Sequence, residues 1–320
     1  MIKVTKQEFN EFLNSILEEE DKRKFKKESK TNVAKFFFGF SFLGLMSVIV
    51  FVIIGAINKD IFSKLPLIFI IAFITFVLFI IGMLIKYKSV GVILELENKY
   101  KQPIVDFLLK NINYHYSPKT YISHMKLLDS QFIREYPDKY SGEDELEINI
   151  LNDDNTPSNN YLKLSDVRAI KVVRNEDGEE RNIQLYGGVF GYIDFPFYFK
   201  STLTINSVYK ARKPLQRVKL EDIKFNKAFK ITCDDQIEAR YILTPEIMQD
   251  LLELKKRMGQ VKIVLDSNHM YIGFPNKNLF SMNKFAKTIN ETNFYSFCLD
   301  VDTILSLTTA IQKNNKIFKI

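Results

Sequence analysis

Two long stretches without a charged residue constrain this chain more than any other feature. Residues 36–58 and 65–85 are uncharged throughout, and a short connection at residues 58–64 separates them. A helix rises about 1.5 Å per residue, so roughly 20 apolar residues cross a hydrocarbon core of about 30 Å. The two stretches therefore predict transmembrane helices joined as an antiparallel hairpin. Two buried helices in a large soluble core are the alternative.

Basic residues beside these stretches predict the orientation. Seven lie between residues 22 and 35, four lie between residues 86 and 101, and the connection holds only Lys59 and Lys64. An excess of Lys and Arg marks the cytoplasmic side. We therefore expect a multi-pass protein of the cell membrane with both termini in the cytoplasm. Neither stretch contains an ionisable residue, which argues against a proton or ion path through them.

Small residues recur at helical spacing in both stretches, where they would let two helices approach closely. The residues concerned are Ser41, Gly44 and Ser47 in the first stretch and Ala72, Thr75 and Gly82 in the second. The segment before the first stretch predicts an amphipathic helix that begins with a capping box at Thr5 and Glu8. That helix either pairs with a second helix, interrupted or restarted at Pro103, as a cytoplasmic stalk, or lies on the membrane surface.

The rest of the chain is typical of an α+β domain, an antiparallel sheet with added helices. Alternating patterns predict strands at residues 145–151, 160–173, 182–194 and 201–208, and a hairpin at residues 261–274. Thr244 and Pro245 predict the start of a helix that ends at Gly259, and residues 295–312 predict a last helix. The predicted organisation is a cytoplasmic amphipathic helix (1–32), the transmembrane hairpin (33–86), a stalk helix (87–112) and the cytosolic domain (113–320).

The charge balance excludes a nucleic-acid partner. The chain has 45 basic and 38 acidic residues, a net charge of +7. From residue 102 onward there are 30 basic and 28 acidic residues, so the predicted domain lacks the strong positive field of a nucleic-acid binder. The cysteines, Cys233 and Cys298, have no metal-ligand or redox spacing. The three histidines are isolated as well, and the sequence predicts no metal or cofactor.

One polar cluster stands out as a candidate site. On a helical turn, Asp235 and Glu238 would share a face and present two carboxylates to a metal or to an acid–base reaction. A structural role is the alternative, in which Asp234 or Asp235 caps a short helix and Arg240 neutralises the carboxylates.

A basic segment is the other candidate. Lys210, Arg212 and Lys213 are candidate contacts for anionic lipid headgroups. A solvated loop is the alternative interpretation of this segment.

Residues 225–257 carry a pattern of Phe-x-Lys-x-Phe, a hydrophobic strand, Asp-x-Ile-Glu-Ala-Arg, and Leu-Thr-Pro before a helix. Further matches follow the same order at residues 140–144, 189–191, 221–222 and 270–272. On these residues the chain resembles the bacterial membrane family called domain of unknown function 3137. The resemblance implies no activity, substrate or cofactor. Its gene setting implies a LemA-like membrane protein as a possible partner.

Three functions remain open on these observations. The first is a membrane-anchored scaffold whose cytosolic domain binds a protein partner, which the absence of a recognisable catalytic motif favours. The second is a membrane-face enzyme that uses the region of Asp235 and Glu238. The third is a lipid-binding module. An exposed apolar patch would favour the scaffold, and a polar pocket around both carboxylates would favour the enzyme. An apolar cavity would favour the lipid-binding module.

Overall fold

A computed structural model describes most of the chain. The described residues are 4–18, 20–21, 37–46, 48–49, 65–151, 157–175, 177–207, 216–278 and 292–314. The chain divides into two compact units, one of residues 1–10, 102–281 and 292–320, and the other of residues 11–101 and 282–291.

Helix α1, Lys6–Ile16, begins with the predicted capping box. The Glu8 backbone N–H donates to Thr5 Oγ1 at 3.3 Å, and the Thr5 N–H donates to Glu8 Oε2 at 2.8 Å. These reciprocal bonds satisfy two donors that a helix N-terminus otherwise leaves without partners. They confirm that the amphipathic segment starts where the sequence predicts.

Helix α2, Leu65–Leu108, is a single helix of 44 residues that runs through Pro103. The sequence predicts an interruption at that proline, which the structure does not show. Lys99 Nζ lies 2.8 Å from Asp21 Oδ2, to which the Tyr100 hydroxyl donates at 2.5 Å. In the N-terminal half of α1, the centroid of the Phe9 ring lies 6.3 Å from the centroid of the Phe107 ring. The N-terminal segment therefore contacts α2 at Asp21 and at Phe9.

The predicted small-residue contact is confirmed between the helical residues 37–46 and α2. Ser41 Oγ donates to the Thr75 carbonyl at 3.2 Å. A Cβ atom added at Gly44 would lie 1.9 Å from Thr75 Cγ2, and one added at Gly82 would lie 3.2 Å from Phe37 Cβ. The helices approach closely here because the two glycines have no side chain.

The predicted transmembrane hairpin requires correction. Among the described residues, no helix combines the length and the apolar character needed to cross a membrane. The first predicted span, 36–58, is described at residues 37–46 and 48–49 only. The second, 65–85, lies within α2. The predicted connection at 58–64 lies outside the described residues.

The unit that contains residues 102–281 is built on one antiparallel sheet of nine strands, counted over the described residues. The strands are β1 Tyr114–Ser117, β2 Lys139–Leu151, β3 Pro157–Arg174, β4 Glu180–Asp194, β5 Leu203–Asn206, β6 Arg217–Val218, β7 Lys230–Cys233, β8 Lys262–Asp266 and β9 His269–Pro275. Their order is β1-β2-β3-β4-β9-β8-β5-β7-β6. The α+β antiparallel domain is therefore confirmed, including the predicted hairpin, which is β8 and β9.

Over the described residues from 113 onward, five helices accompany the sheet. They are α3 His124–Asp129, α4 Ile223–Ala228, α5 Gln236–Ile242, α6 Pro245–Met258 and α7 Thr292–Lys313. The side chain of Thr244 accepts from the Ile247 N–H at the start of α6, which ends at Gly259, as predicted. One core cluster combines Leu127 of α3 with Phe190 of β4, both fully buried. Apolar burial of this kind supplies most of the stability of such a domain.

Helices α6 and α7 are joined by a buried ion pair. Arg257 Nη2 lies 2.8 Å from Asp300 Oδ1, and the Asp300 side chain is only 6% exposed. Lys277 Nζ lies 4.0 Å from the other carboxylate oxygen and donates to the Arg257 carbonyl at 3.0 Å. Two cations therefore neutralise one buried carboxylate between the two helices.

Candidate functional site

Asp235, the first predicted site residue, lies at the N-cap of α5. Its carboxylate accepts from the backbone N–H groups of Ile237 at 2.8 Å and Glu238 at 3.1 Å. These two backbone hydrogen bonds, first that of Glu238 and then that of Ile237, hold the pKa of Asp235 below its ordinary value. The predicted capping role is confirmed, and the carboxylate is occupied by the helix that it caps.

The lowered pKa gives a pH-dependent prediction for Asp235→Ala. A carboxylate with a depressed folded-state pKa stabilises the fold above its ordinary value of 3.8, and this contribution is lost as pH falls through the folded-state pKa. We expect a lower urea midpoint for the variant at neutral pH and a smaller difference from wild type at about pH 3. An equal difference at both pH values would contradict an ionised cap.

Glu238, the second predicted residue, is 5% exposed and points into the domain. Its Oε1 accepts from the Lys200 backbone N–H, and its Oε2 accepts from the Ser201 hydroxyl, both at 2.7 Å. Ser201 Oγ also lies 3.2 Å from Cys233 Sγ, and burial raises the pKa of that thiol. Glu238 therefore fixes the segment at residues 200–201 to α5, and a buried, protonated Cys233 is a poor nucleophile.

Arg240, the third predicted residue, is exposed and bonds to backbone carbonyls. Its Nη1 donates to Gln236 O at 2.8 Å and its Nη2 to Lys219 O at 3.3 Å. The structure thus brings Asp235 and Glu238 onto one helix but assigns Arg240 to another surface. Both carboxylates accept hydrogen bonds from donors of the domain itself.

The remaining candidates are the basic segment and the histidines. Lys210, Arg212 and Lys213 lie outside the described residues. His269 Nδ1 lies 2.5 Å from Asp194 Oδ1, and the His124 ring makes an edge-to-face contact with the Tyr140 ring. Over the residues that the structure describes, no group of three or more His, Cys, Asp or Glu side chains is placed to hold a metal ion.

The outer side of α5 carries an exposed apolar surface. Ile237 and Tyr241 lie one helical turn apart and are 66% and 53% exposed. Elsewhere in the unit, Tyr198, two residues before Lys200, and Ile223 on α4 are each 70% exposed. Two large apolar side chains exposed one turn apart on one helix, as in α5, are typical of an interaction surface.

A polar groove of about 690 Å³ lies on the strands β2, β3 and β4 and the end of β9. Its lining residues are Ser141, Gly142, Glu143, Asp166, Val167, Arg168, Gln184, Gly187, Gly188, Asn276 and Asn278. The sheet register aligns Ser141, Arg168 and Gly187 across three strands, and it aligns Gly142, Val167 and Gly188 beside them. The groove therefore runs across the strands.

Glycine backbone geometry shapes this groove. Gly188 has φ of +143°, and an added Cβ would lie 2.3 Å from the Phe274 carbonyl oxygen. An added Cβ at Gly142 would lie 2.8 Å from the Asp166 carbonyl oxygen. Next to Gly142, buried Asp144 adopts a left-handed φ of 64° and accepts from the Tyr116 hydroxyl at 2.5 Å. These positions hold the groove open, and the sequence offers no periodicity that identifies them as one site.

An apolar cavity of about 520 Å³ lies between the helical residues 37–46 and 48 and helix α2. Its lining is mainly aromatic and aliphatic, with Phe38, Phe42, Phe76 and Phe79 among the contributors. The cavity therefore belongs to the helical unit and not to the sheet.

Comparison with known proteins places this domain in a family context. Residues 184–313 match the family described as "Protein of unknown function (DUF3137)", so the resemblance on these residues is confirmed. The comparison with curated proteins finds no match. Among solved structures, the crystal structure of the mycobacterial trehalose monomycolate transport factor A, TtfA, is similar at 6% identity. The similarity covers 67% of this chain and 95% of that chain, with a TM-score of 0.35.

Proposed function

We propose that this chain, whose residues 184–313 match the DUF3137 family, is a scaffold that binds a protein partner through the outer side of α5. The observation that supports this most is the pair Ile237 and Tyr241, exposed one turn apart on a helix of seven residues. Burying such side chains against a partner removes apolar area from water and is favourable by roughly 25 cal/mol per Å².

The rigidity of α5 supports the same proposal. Asp235 caps the helix, Glu238 joins it to residues 200–201, and Arg240 joins it to the Lys219 carbonyl. These three polar contacts hold a short helix whose side chains Ile237 and Tyr241 are exposed. A surface fixed in this way costs little conformational entropy on binding.

The partner's identity and location are part of the proposal. We propose a protein partner, with a LemA-like protein as the first candidate to test, and a location at the cell membrane with both termini in the cytoplasm. Nucleic acid is not proposed, because basic and acidic residues are nearly balanced from residue 102 onward.

The test is capture of the partner on a variant. The full chain is purified from its native cells in mild detergent, and the retained proteins are quantified for wild type, for Ile237→Ser with Tyr241→Ser, and for Tyr161→Ser. Tyr161 is an exposed tyrosine on β3 and serves as the matched control. We expect the double variant to lose the partner by at least about tenfold and the control to keep it.

Circular dichroism and thermal unfolding of the double variant should match wild type, because both side chains are exposed. A partner retained equally by all three proteins, or no retained protein at all, would refute the proposed surface.

A further inference from the structure

The polar groove lies where two neighbouring strands separate. Strand β9 pairs with β4 from Gly188 to Asp194, and residues 180–184 of β4 pair only with β3. Within the described part of the chain, no strand pairs with the opposite edge of residues 180–184. All five of these side chains are exposed. The edge of β4 at residues 180–184 therefore adjoins the groove, which Gln184 lines.

The two edges of this projecting ribbon differ. On the β3 side, Asp138 Oδ2 accepts from the Val172 N–H at 2.7 Å, and the Asp138 N–H donates to the Ile170 carbonyl at 2.9 Å. One aspartate thus covers the β3 edge, as charged groups often do at the margins of sheets. The β4 edge has no such cover among the described residues, and its backbone donors and acceptors face outward.

The groove next to this edge has a distinct chemistry. Among the described residues that line it, the charged side chains are the carboxylates of Glu143 and Asp166 and the guanidinium of Arg168. The amides of Gln184 and Asn276 provide both donors and acceptors. Because carboxylates outnumber cations in this described lining and its large apolar side chain is Val167, the groove suits a cationic polar group better than an anion or an apolar chain.

We propose that the β4 edge and the groove bind an extended peptide segment of a protein partner as an added strand, with a Lys or Arg side chain in the groove. Strand addition uses backbone hydrogen bonds for affinity and a side-chain pocket for specificity, and both parts are adjacent here. This site is separate from the outer side of α5, so it goes beyond the proposed scaffold surface.

The test uses a displayed library of random heptapeptides, selected on the full chain in mild detergent. We expect the selected peptides to combine β-branched residues with one central Lys or Arg. A selected peptide is then labelled, and its affinity is measured by fluorescence anisotropy. Glu143→Lys should weaken binding by about tenfold or more, whereas Glu135→Lys, at an exposed site outside the groove, should change it less than about twofold. N-methylation of alternate peptide amides should abolish binding.

Several outcomes would overturn the proposal. They are the absence of selected peptides, a selected consensus that is acidic or purely apolar, equal binding to the Glu143→Lys and Glu135→Lys variants, and binding that survives N-methylation. The variant Ile237→Ser with Tyr241→Ser should bind the peptide like wild type. This separates a failure of the groove from a failure of the α5 surface.

Discussion

Replacing Asp300 by alanine is expected to lower the free energy of unfolding by about 3 to 5 kcal/mol. The Asp300 carboxylate is 6% exposed and lies 2.8 Å from Arg257 Nη2 and 4.0 Å from Lys277 Nζ. Its removal leaves two cations together in a partly buried site without their anion. Urea unfolding followed by circular dichroism measures the loss.

A paired replacement provides the control. Asp300→Leu combined with Arg257→Met removes both charges and fills the space with apolar atoms, so its loss should be clearly smaller than that of Asp300→Ala. If Asp300→Ala lowered the free energy of unfolding by less than about 1 kcal/mol, the ion pair would contribute no more than an exposed salt bridge does. That result would contradict a stabilising buried ion pair between α6 and α7.

The second large effect is expected for Glu238→Ala, which should cost about 3 kcal/mol of unfolding free energy. The variant removes the acceptor of the Lys200 N–H and of the Ser201 hydroxyl. Ser201 can turn toward Cys233 Sγ, 3.2 Å away, but the backbone donor of Lys200 has no such freedom. Thermal and urea unfolding of the full chain report the change.

Glu238→Gln is the matched variant, because it keeps the shape and one acceptor oxygen. We expect it to lose about half as much stability as Glu238→Ala. If Glu238→Gln folded like wild type and yet lost a measurable hydrolytic activity, the structural role of this carboxylate would be wrong and the enzymatic alternative would gain support.

Helix caps and helix starts are the features of this fold that the sequence predicts well. The Thr5 and Glu8 capping box, the Thr244 and Pro245 start of α6, and the Asp235 cap all depend on residues within four positions of one another. Alternating patterns likewise predict the central strands, because a half-buried strand must alternate along its own length. These features need no knowledge of the tertiary structure.

The partners of the candidate site are beyond such local patterns. Glu238 bonds to residues 37 and 38 positions earlier in the chain, and its partners are a backbone N–H and a serine of no distinctive pattern. The groove likewise requires the register of β2, β3 and β4, which brings Gly142, Val167 and Gly188 into one row. Sequence spacing predicts neither the partners of Glu238 nor the alignment of these three strands.

The error about the transmembrane hairpin has a different origin. Uncharged composition at residues 36–58 and 65–85 describes residue types only, and it predicts a span by length alone. Among the described residues no helix meets the combined criterion of length and apolar character, and α2 continues without a break beyond residue 85 into a part that contains Lys86 and Lys88. Hydropathy therefore predicts the helices but not where they end.

The contact of Gly44 with Thr75 also has a consequence for sequence variation. An added Cβ at position 44 would lie 1.9 Å from Thr75 Cγ2, so a larger residue there is compatible with this packing only if position 75 becomes smaller. Positions 44 and 75 are therefore expected to covary among related sequences, so that a substitution at one is accompanied by a substitution at the other.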